Sequence, residues 1–141
     1  MTVKVAGLWE RGWNTPIKEV ELWEFPLRDF AVNEHIMVPV SGIENSYVTE
    51  VPNLGDWLVT QRALGLTIVF LDENGQTPLQ NFVHPPDAVY VCGKANLSSL
   101  VAYSLPGDLS LKILTPANLG GFWPHQAVSI VLYDRFLKAS P

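Results

Sequence analysis

Two short runs constrain this chain more than anything else in it. Leu66 to Leu71 reads LTIVFL and Ala88 to Cys92 reads AVYVC, apolar without alternation and rich in β-branched residues. A strand with one face in water alternates, whereas a strand with no polar position has to be covered on both faces. Two such strands imply a sheet held between other layers. Each run stops at a turn signal, Asp72-Glu-Asn-Gly75 after the first and Gly93 after the second. Between them, Pro78 to Val83 reads as a short bridging element, punctuated by Pro85-Pro86-Asp87.

The flanking sequence supplies the layers. Val3 to Trp9 reads as a first strand and His35 to Val40 as a second, with Pro39 marking a strand end or edge. Between them, Val20, Trp23, Leu27 and Phe30 recur at helical spacing over residues 17–32, where Pro26 would break a helix unless it opened one. Residues 41–52 read as a loop. Asn53 is a good N-cap for a helix over 54–64 carrying Leu54, Trp57, Leu58, Gln61 and Leu64 on one side, with Gly65 as terminator. Leu97 to Leu105 suits a short helix closed by Pro106-Gly107, and Leu109 to Leu114 a strand. After a glycine-rich loop, 118–121, a last helix spans Pro124 to Ala139 with a stripe of Ala127, Val128, Val131, Leu132 and Phe136. The order predicts an α/β fold, one domain over residues 1–141 around a mainly parallel sheet with flanking helices.

Composition narrows the class. Of 141 residues 48% are apolar, enough for a sizeable core, and only 16% are charged against about 25% in an average domain, so part of the surface is expected to meet a partner. A net charge of −5 argues against a chain that coats nucleic acid through phosphate contacts, without excluding a local basic pocket. One cysteine, Cys92, excludes an internal disulfide and a cysteine-built zinc cage. No run approaches the ~20 apolar residues of a membrane span. The expectation is a soluble, cytoplasmic protein without a metal site.

The last third is more specific. PDAVYVCG at 86–93, LKILTP at 111–116 and AVSIVLYDRF at 127–136, preceded by TPLQNFVHPP at 77–86, resemble the C-terminal half of SpoU/TrmH-like (SPOUT) RNA methyltransferases. In that superfamily a strand ends in a glycine loop, a second strand ends in a proline, and a helix reading A-x-S-I-V-L-Y follows. The resemblance implies a C-terminal deep trefoil knot, S-adenosylmethionine bound in the knot loops, ribose 2′-O methylation of tRNA or rRNA, and a homodimer packed through the last helix. By position it puts the cofactor against Leu71 and Asp72, against Cys92, Gly93 and Lys94, and against Ile113, Leu114 and Thr115, with Phe122, Trp123 and Ala127 closing over it. Strand ends are the usual ligand crevice of such sheets, and their backbone groups can bind adenine without special side chains.

The family's polar catalytic positions are replaced. Its Asn-x-Gly-x-x-x-Arg signature falls on Lys18–Glu24, so Glu24 occupies the place of an arginine that assists ribose deprotonation. A second match, Asn53-Leu-Gly55, offers Val59 there, with Arg62 one turn further on. The family glutamate falls at Ala95 and its asparagine at Trp123. Two functions therefore stay open: a methyltransferase with a divergent site, or a catalytically degenerate homologue that binds cofactor, RNA or protein. A third, an unrelated α/β protein, would show strands 88–92 and 111–115 as antiparallel neighbours.

Single residues carry two readings each. Trp123 and His125 form either a rebuilt pocket, with the indole stacking on a base, or a helix start filling a void. Lys94 steers an anion or is an exposed loop lysine. His84 reads as structural, His35 as a strand-end residue and Cys92 as inert core. Trp9, Trp13 and Trp23 form a partner surface or cover the open side of the implied knot, and Glu19, Glu21 and Glu24 read as a solvated face.

Overall fold

The computed structural model describes residues 1–8, 16–38, 48–93, 101–119 and 122–139. Its strands are β1 (Val3–Leu8), β2 (Glu34–Val38), β3 (Val48–Glu50), β4 (Thr67–Leu71), β5 (Thr77–Pro78), β6 (Ala88–Cys92) and β7 (Leu109–Lys112). Its helices are α1 (Pro16–Asp29), α2 (Leu54–Ala63) and α3 (Pro124–Ala139), with 3-10 turns at Leu79–Asn81 and Val101–Tyr103. The strands form one sheet in the order β3-β2-β1-β6-β4-β7-β5. Every neighbouring pair is parallel.

β6 and β4 sit centrally, which is why their sequences lack polar positions. Alternate residues enter opposite layers. Val5, Val69, Ala88, Tyr90, Cys92 and Leu111 pack with Trp23 and Leu27 of α1 and with Val128, Val131 and Leu132 of α3. Ala6, Ile68, Phe70, Val89 and Val91 pack with Leu54 and Leu58 of α2 on the other face. Each fully buried aliphatic side chain contributes about 1.5–3 kcal/mol, so the two faces together account for the burial that the central runs require.

Several expected boundaries shift. Residues 48–50, read as loop, add β3 as a parallel edge strand beside β2. Only Val48 of its three side chains is buried, too little pattern to recognise. Pro26 neither breaks nor opens α1; it lies inside the helix, which Pro16 opens instead. The bridging element at 78–83 resolves into β5 and a 3-10 turn. β7 stops at Lys112, leaving Ile113 and Leu114 beyond the sheet. Val101–Tyr103 forms a 3-10 turn where a longer helix was expected, and residues 97–100 of that expectation lie outside the described residues. Leu64 and Phe136 are exposed rather than packed on the sheet. The antiparallel alternative is excluded: β4 lies between β6 and β7, parallel to both.

The β4–β5 connection passes across β7. Residues 72–76 join two strands that flank β7 in the sheet. The Asp72 amide donates to the Leu111 carbonyl at 3.0 Å, and Gly75 donates to the Asp72 carbonyl at 2.9 Å. A Cβ on Gly75 would overlap the Leu111 carbonyl carbon and oxygen. Only glycine allows the chain to lie that close.

Candidate functional site at the C-terminal edge of the sheet

Parallel strands end on one edge, and here three end level with one another. Leu71 is in register with Cys92 on one side and with Leu111 on the other. Asp72, Gly93 and the run from Ile113 to Thr115 therefore emerge together from the middle of the sheet. Of the proposed cofactor contacts, Leu71, Asp72, Gly93, Ile113 and Thr115 are half-buried, Leu114 is exposed and Cys92 is sealed in the core. Burial pushes the Cys92 thiol well above its ordinary pKa, so it is no nucleophile at neutral pH. Lys94 lies outside the described residues, as do Trp9, Trp13 and Ala95.

The C-terminal half of α3 is fixed at the opposite edge. Arg135 donates to the carbonyls of Pro85 and Pro86 at 2.6 and 2.8 Å and to the Tyr90 hydroxyl at 2.9 Å. Lys138 donates to the carbonyls of Leu79 and Phe82 and pairs with Asp134. These partners precede β6 or lie within it. From Arg135 back to Pro124 the helix rises roughly 16 Å, against roughly 13 Å from Ala88 to Cys92 along β6. The N-terminus of α3 thus reaches the edge where β4, β6 and β7 end.

His84 has the structural role expected of it, and its place is in the same anchor. Its Nδ1 lies 2.7 Å from the Tyr90 hydroxyl and its Nε2 2.7 Å from Asp134 Oδ2. Because Arg135 donates to the Tyr90 oxygen, the tyrosine proton is directed to His84 Nδ1, and Nε2–H donates to the carboxylate. Burial lowers the His84 pKa, against the pull of Asp134, and raises that of Tyr90. Burial thus favours the neutral form of each group, and together they hold α3 down.

At the other end of α3, Trp123 precedes the first helical residue, Pro124. Gln126 accepts from the Trp123 amide at 3.0 Å, half of a capping box. Trp123 is 43% and Phe122 38% exposed, so neither fills a void. The His125 ring meets Trp123 at 6.3 Å and Trp23 at 6.3 Å between centroids. Trp23 is buried, stacked on His35 at 5.1 Å, with its ring edge against Gly7. It is core, not a partner surface. Nothing in the local pattern indicates that α1 meets the start of α3 through these ring contacts.

The arginine candidates are employed elsewhere. Arg62 makes a bidentate pair with Asp108, at 3.0 and 2.6 Å, and donates to the Tyr103 carbonyl. It lies just before β4 and Asp108 just before β7, at the edge remote from the crevice. Glu24 pairs with Arg28 one turn along α1. Among the described residues no group of histidine, cysteine and carboxylate side chains could hold a metal, and no helix is long and apolar enough to cross a membrane.

What the edge offers is backbone groups at Asp72, Gly93 and Ile113–Thr115, half-buried apolar side chains, and two exposed aromatic rings. That set fits a flat heteroaromatic ring with a polar tail better than a metal or a phosphate cluster.

No protein-family model matches this sequence, and no curated protein does. Solved structures do. The fold matches the SpoU methyltransferase AviRb from Streptomyces viridochromogenes at 15% identity and a TM-score of 0.77, over 97% of this chain and 59% of that one. An AdoMet-bound rRNA methyltransferase from Sinorhizobium meliloti matches at 13% identity and 0.71, over 99% of this chain and 57% of the other. A putative RNA methyltransferase from Bacillus anthracis matches at 12% and 0.70, over 96% and 93%. The chain spans about three fifths of the length of the first two. Its fold is that of the SpoU/TrmH methyltransferases.

Proposed function

We propose that this chain binds S-adenosylmethionine in the crevice above β6, β4 and β7 and methylates a ribose 2′-hydroxyl of tRNA or rRNA. One observation carries the reading: three strand ends in register beneath the start of α3, in a fold shared with methyltransferases crystallised with that cofactor. Backbone groups of Asp72, Gly93, Leu114 and Thr115 would hold the adenine. Leu71, Ile113 and Ala127 would supply apolar contact, and Phe122 and Trp123 would close over the ring. When bound, the cofactor supplies an electrophilic methyl group; the chain's part is to orient the hydroxyl, exclude water and receive a proton.

The same reading includes the knot and the dimer. Passage of the 72–76 link across β7 supports a threaded C-terminal segment. Tyr133, Phe136 and Leu137, exposed along α3 beside Phe30, support pairing with a second copy through that helix.

A second reading, a binding module without turnover, is favoured by the employment of Arg62 in its pair with Asp108, at the edge remote from the crevice, and by the carboxylate of Glu24, which pairs with Arg28. Calorimetry with S-adenosylmethionine, followed by transfer of its labelled methyl group to bulk tRNA and rRNA, separates the two. Micromolar binding with labelled RNA supports the enzyme; binding alone supports the module. Absence of binding overturns both. Trp123→Ala should weaken cofactor binding at least tenfold while lowering Tm by no more than a few degrees; an equal, purely thermal effect would assign the indole to the core.

A further inference from the structure

We propose that Arg135, Tyr90, His84 and Asp134 form an acid-sensitive latch, in which a proton taken up at His84 Nδ1 breaks the hold of β6 on the C-terminal half of α3. The device lies at the edge of the sheet remote from the crevice and acts whether or not the chain is an enzyme.

The hydrogen bonds of this cluster run in one direction. Arg135 Nη1 donates to the Tyr90 oxygen at 2.9 Å, and a guanidinium has donors only. The single phenol proton is therefore given to His84 Nδ1, 2.7 Å away, and Nε2–H donates to Asp134 Oδ2 at 2.7 Å. Nδ1 is thus the one ring nitrogen that can take up a further proton, and Tyr90 occupies it. Protonation turns Nδ1 from acceptor into donor. The guanidinium and the imidazolium then both point at one phenol oxygen, and the phenol proton loses its acceptor. Tyr90 is completely buried, so bulk water does not replace the lost partner.

The surrounding charges set the sign. From α3, Asp134, Arg135 and Lys138 face the imidazole; β6 presents Tyr90, and Phe82 stands edge-on at 5.0 Å. Asp87, in the same segment as His84, is turned to the Thr2 amide at 2.8 Å. Burial disfavours the imidazolium, as do Lys138 and Arg135, while Asp134 and the carbonyl end of α3 favour it. Burial prevails, so the pKa lies below its ordinary value of 6.5. The folded chain resists a proton that the unfolded chain accepts. Stability from the latch is complete above about pH 6.5 and is lost as pH falls.

Other bonds survive the proton. Arg135 keeps the carbonyls of Pro85 and Pro86, Lys138 keeps those of Leu79 and Phe82, and charged His84 holds Asp134 more tightly. Residues 79–86 therefore travel with the helix, and the break falls at Tyr90. The half of α3 set free carries Tyr133, Phe136 and Leu137, all exposed. Acid thus changes how the chain presents this apolar face.

The test uses the full chain with 15N-labelled histidine, followed by NMR from pH 7.5 to 4.5. His84 is expected as the Nε2–H tautomer at pH 7.5. As its ring takes up a proton, the nuclear Overhauser contacts between the Tyr90 ring and the Arg135 side chain should fall at least threefold, in step with the titration. Tyr90→Phe, which frees Nδ1, should raise the His84 titration midpoint by about one pH unit. In His84→Gln the Tyr90–Arg135 contacts should no longer vary with pH over this range. An Nδ1–H tautomer at pH 7.5 overturns the proposal. So do Tyr90–Arg135 contacts that persist after the ring is charged, a midpoint unmoved by Tyr90→Phe, or unfolding of the whole chain before His84 is protonated. The wild-type tautomer and contacts decide the matter even where a variant fails to fold.

Discussion

Gly75 has no room for a side chain. Its hypothetical Cβ would overlap the backbone of Leu111, which cannot rotate away, so Gly75→Ala should destabilise the fold by about 3 kcal/mol or more, measured by urea unfolding. Gly7→Ala meets only the edge of the Trp23 ring and should cost less. His35 gives a second expectation at this scale. Burial holds its pKa down at about 3, so the folded state resists a proton that the unfolded chain accepts. Stability from this group is complete above about pH 6.5 and falls as pH drops toward 3, by about 1.4 kcal/mol per unit. His35→Phe, which keeps a ring on Trp23, should flatten that dependence in urea melts at pH 7, 5 and 4. In the sequence Gly75 was legible as a turn glycine, but its partner on β7 is 36 positions away and nothing local points to it. His84 could be read as structural from its neighbouring prolines; its partners Asp134 and Arg135 could not, because helical spacing does not say which loop a helix end will meet.

Among the elements, α1 departs most from its sequence. It ends in a Schellman motif, with the Ala31 amide on the Arg28 carbonyl and the Val32 amide on that of Leu27. Ala31 takes the left-handed position, at φ 55°, where glycine is the unstrained residue. Ala31→Gly should therefore stabilise the protein by about 0.5–1 kcal/mol, raising Tm by a few degrees. α2 follows the rule instead: Asn53 caps it and Gly65 closes it, both visible beforehand. Its Arg62 clamps the segment that enters β7, and Arg62→Ala should cost about 2–3 kcal/mol by leaving the nearly buried Asp108 without its charge partner. β4, β6 and α3 were legible because a run covered on both faces, or a stripe at helical spacing, carries its own signature. β3 and β5 were not, being three and two residues long.

For the molecule as a whole, the layers and the parallel sheet follow from two unbroken apolar runs, while the strand order does not follow from any run. The low charge content has a counterpart on the outer side of α3. Phe136 is 59% exposed there, beside Tyr133 and Leu137. If a second copy covers that face, Phe136→Asp should convert a dimer into a folded monomer, seen as a halved mass in sedimentation with an unchanged circular dichroism spectrum. A wild-type chain that sediments as a monomer would reject the pairing.

The place of β7 between β4 and β5 bears on synthesis. When the ribosome has extruded only the first hundred residues, the two earlier strands are present and the piece that separates them is not. They have no shared ladder to join until it arrives, since β5 bonds to β7 alone. The nascent chain therefore waits with a vacant slot in its sheet, and a truncation ending before Leu109 should expose that slot to proteases and chaperones however well the rest of the chain has collapsed.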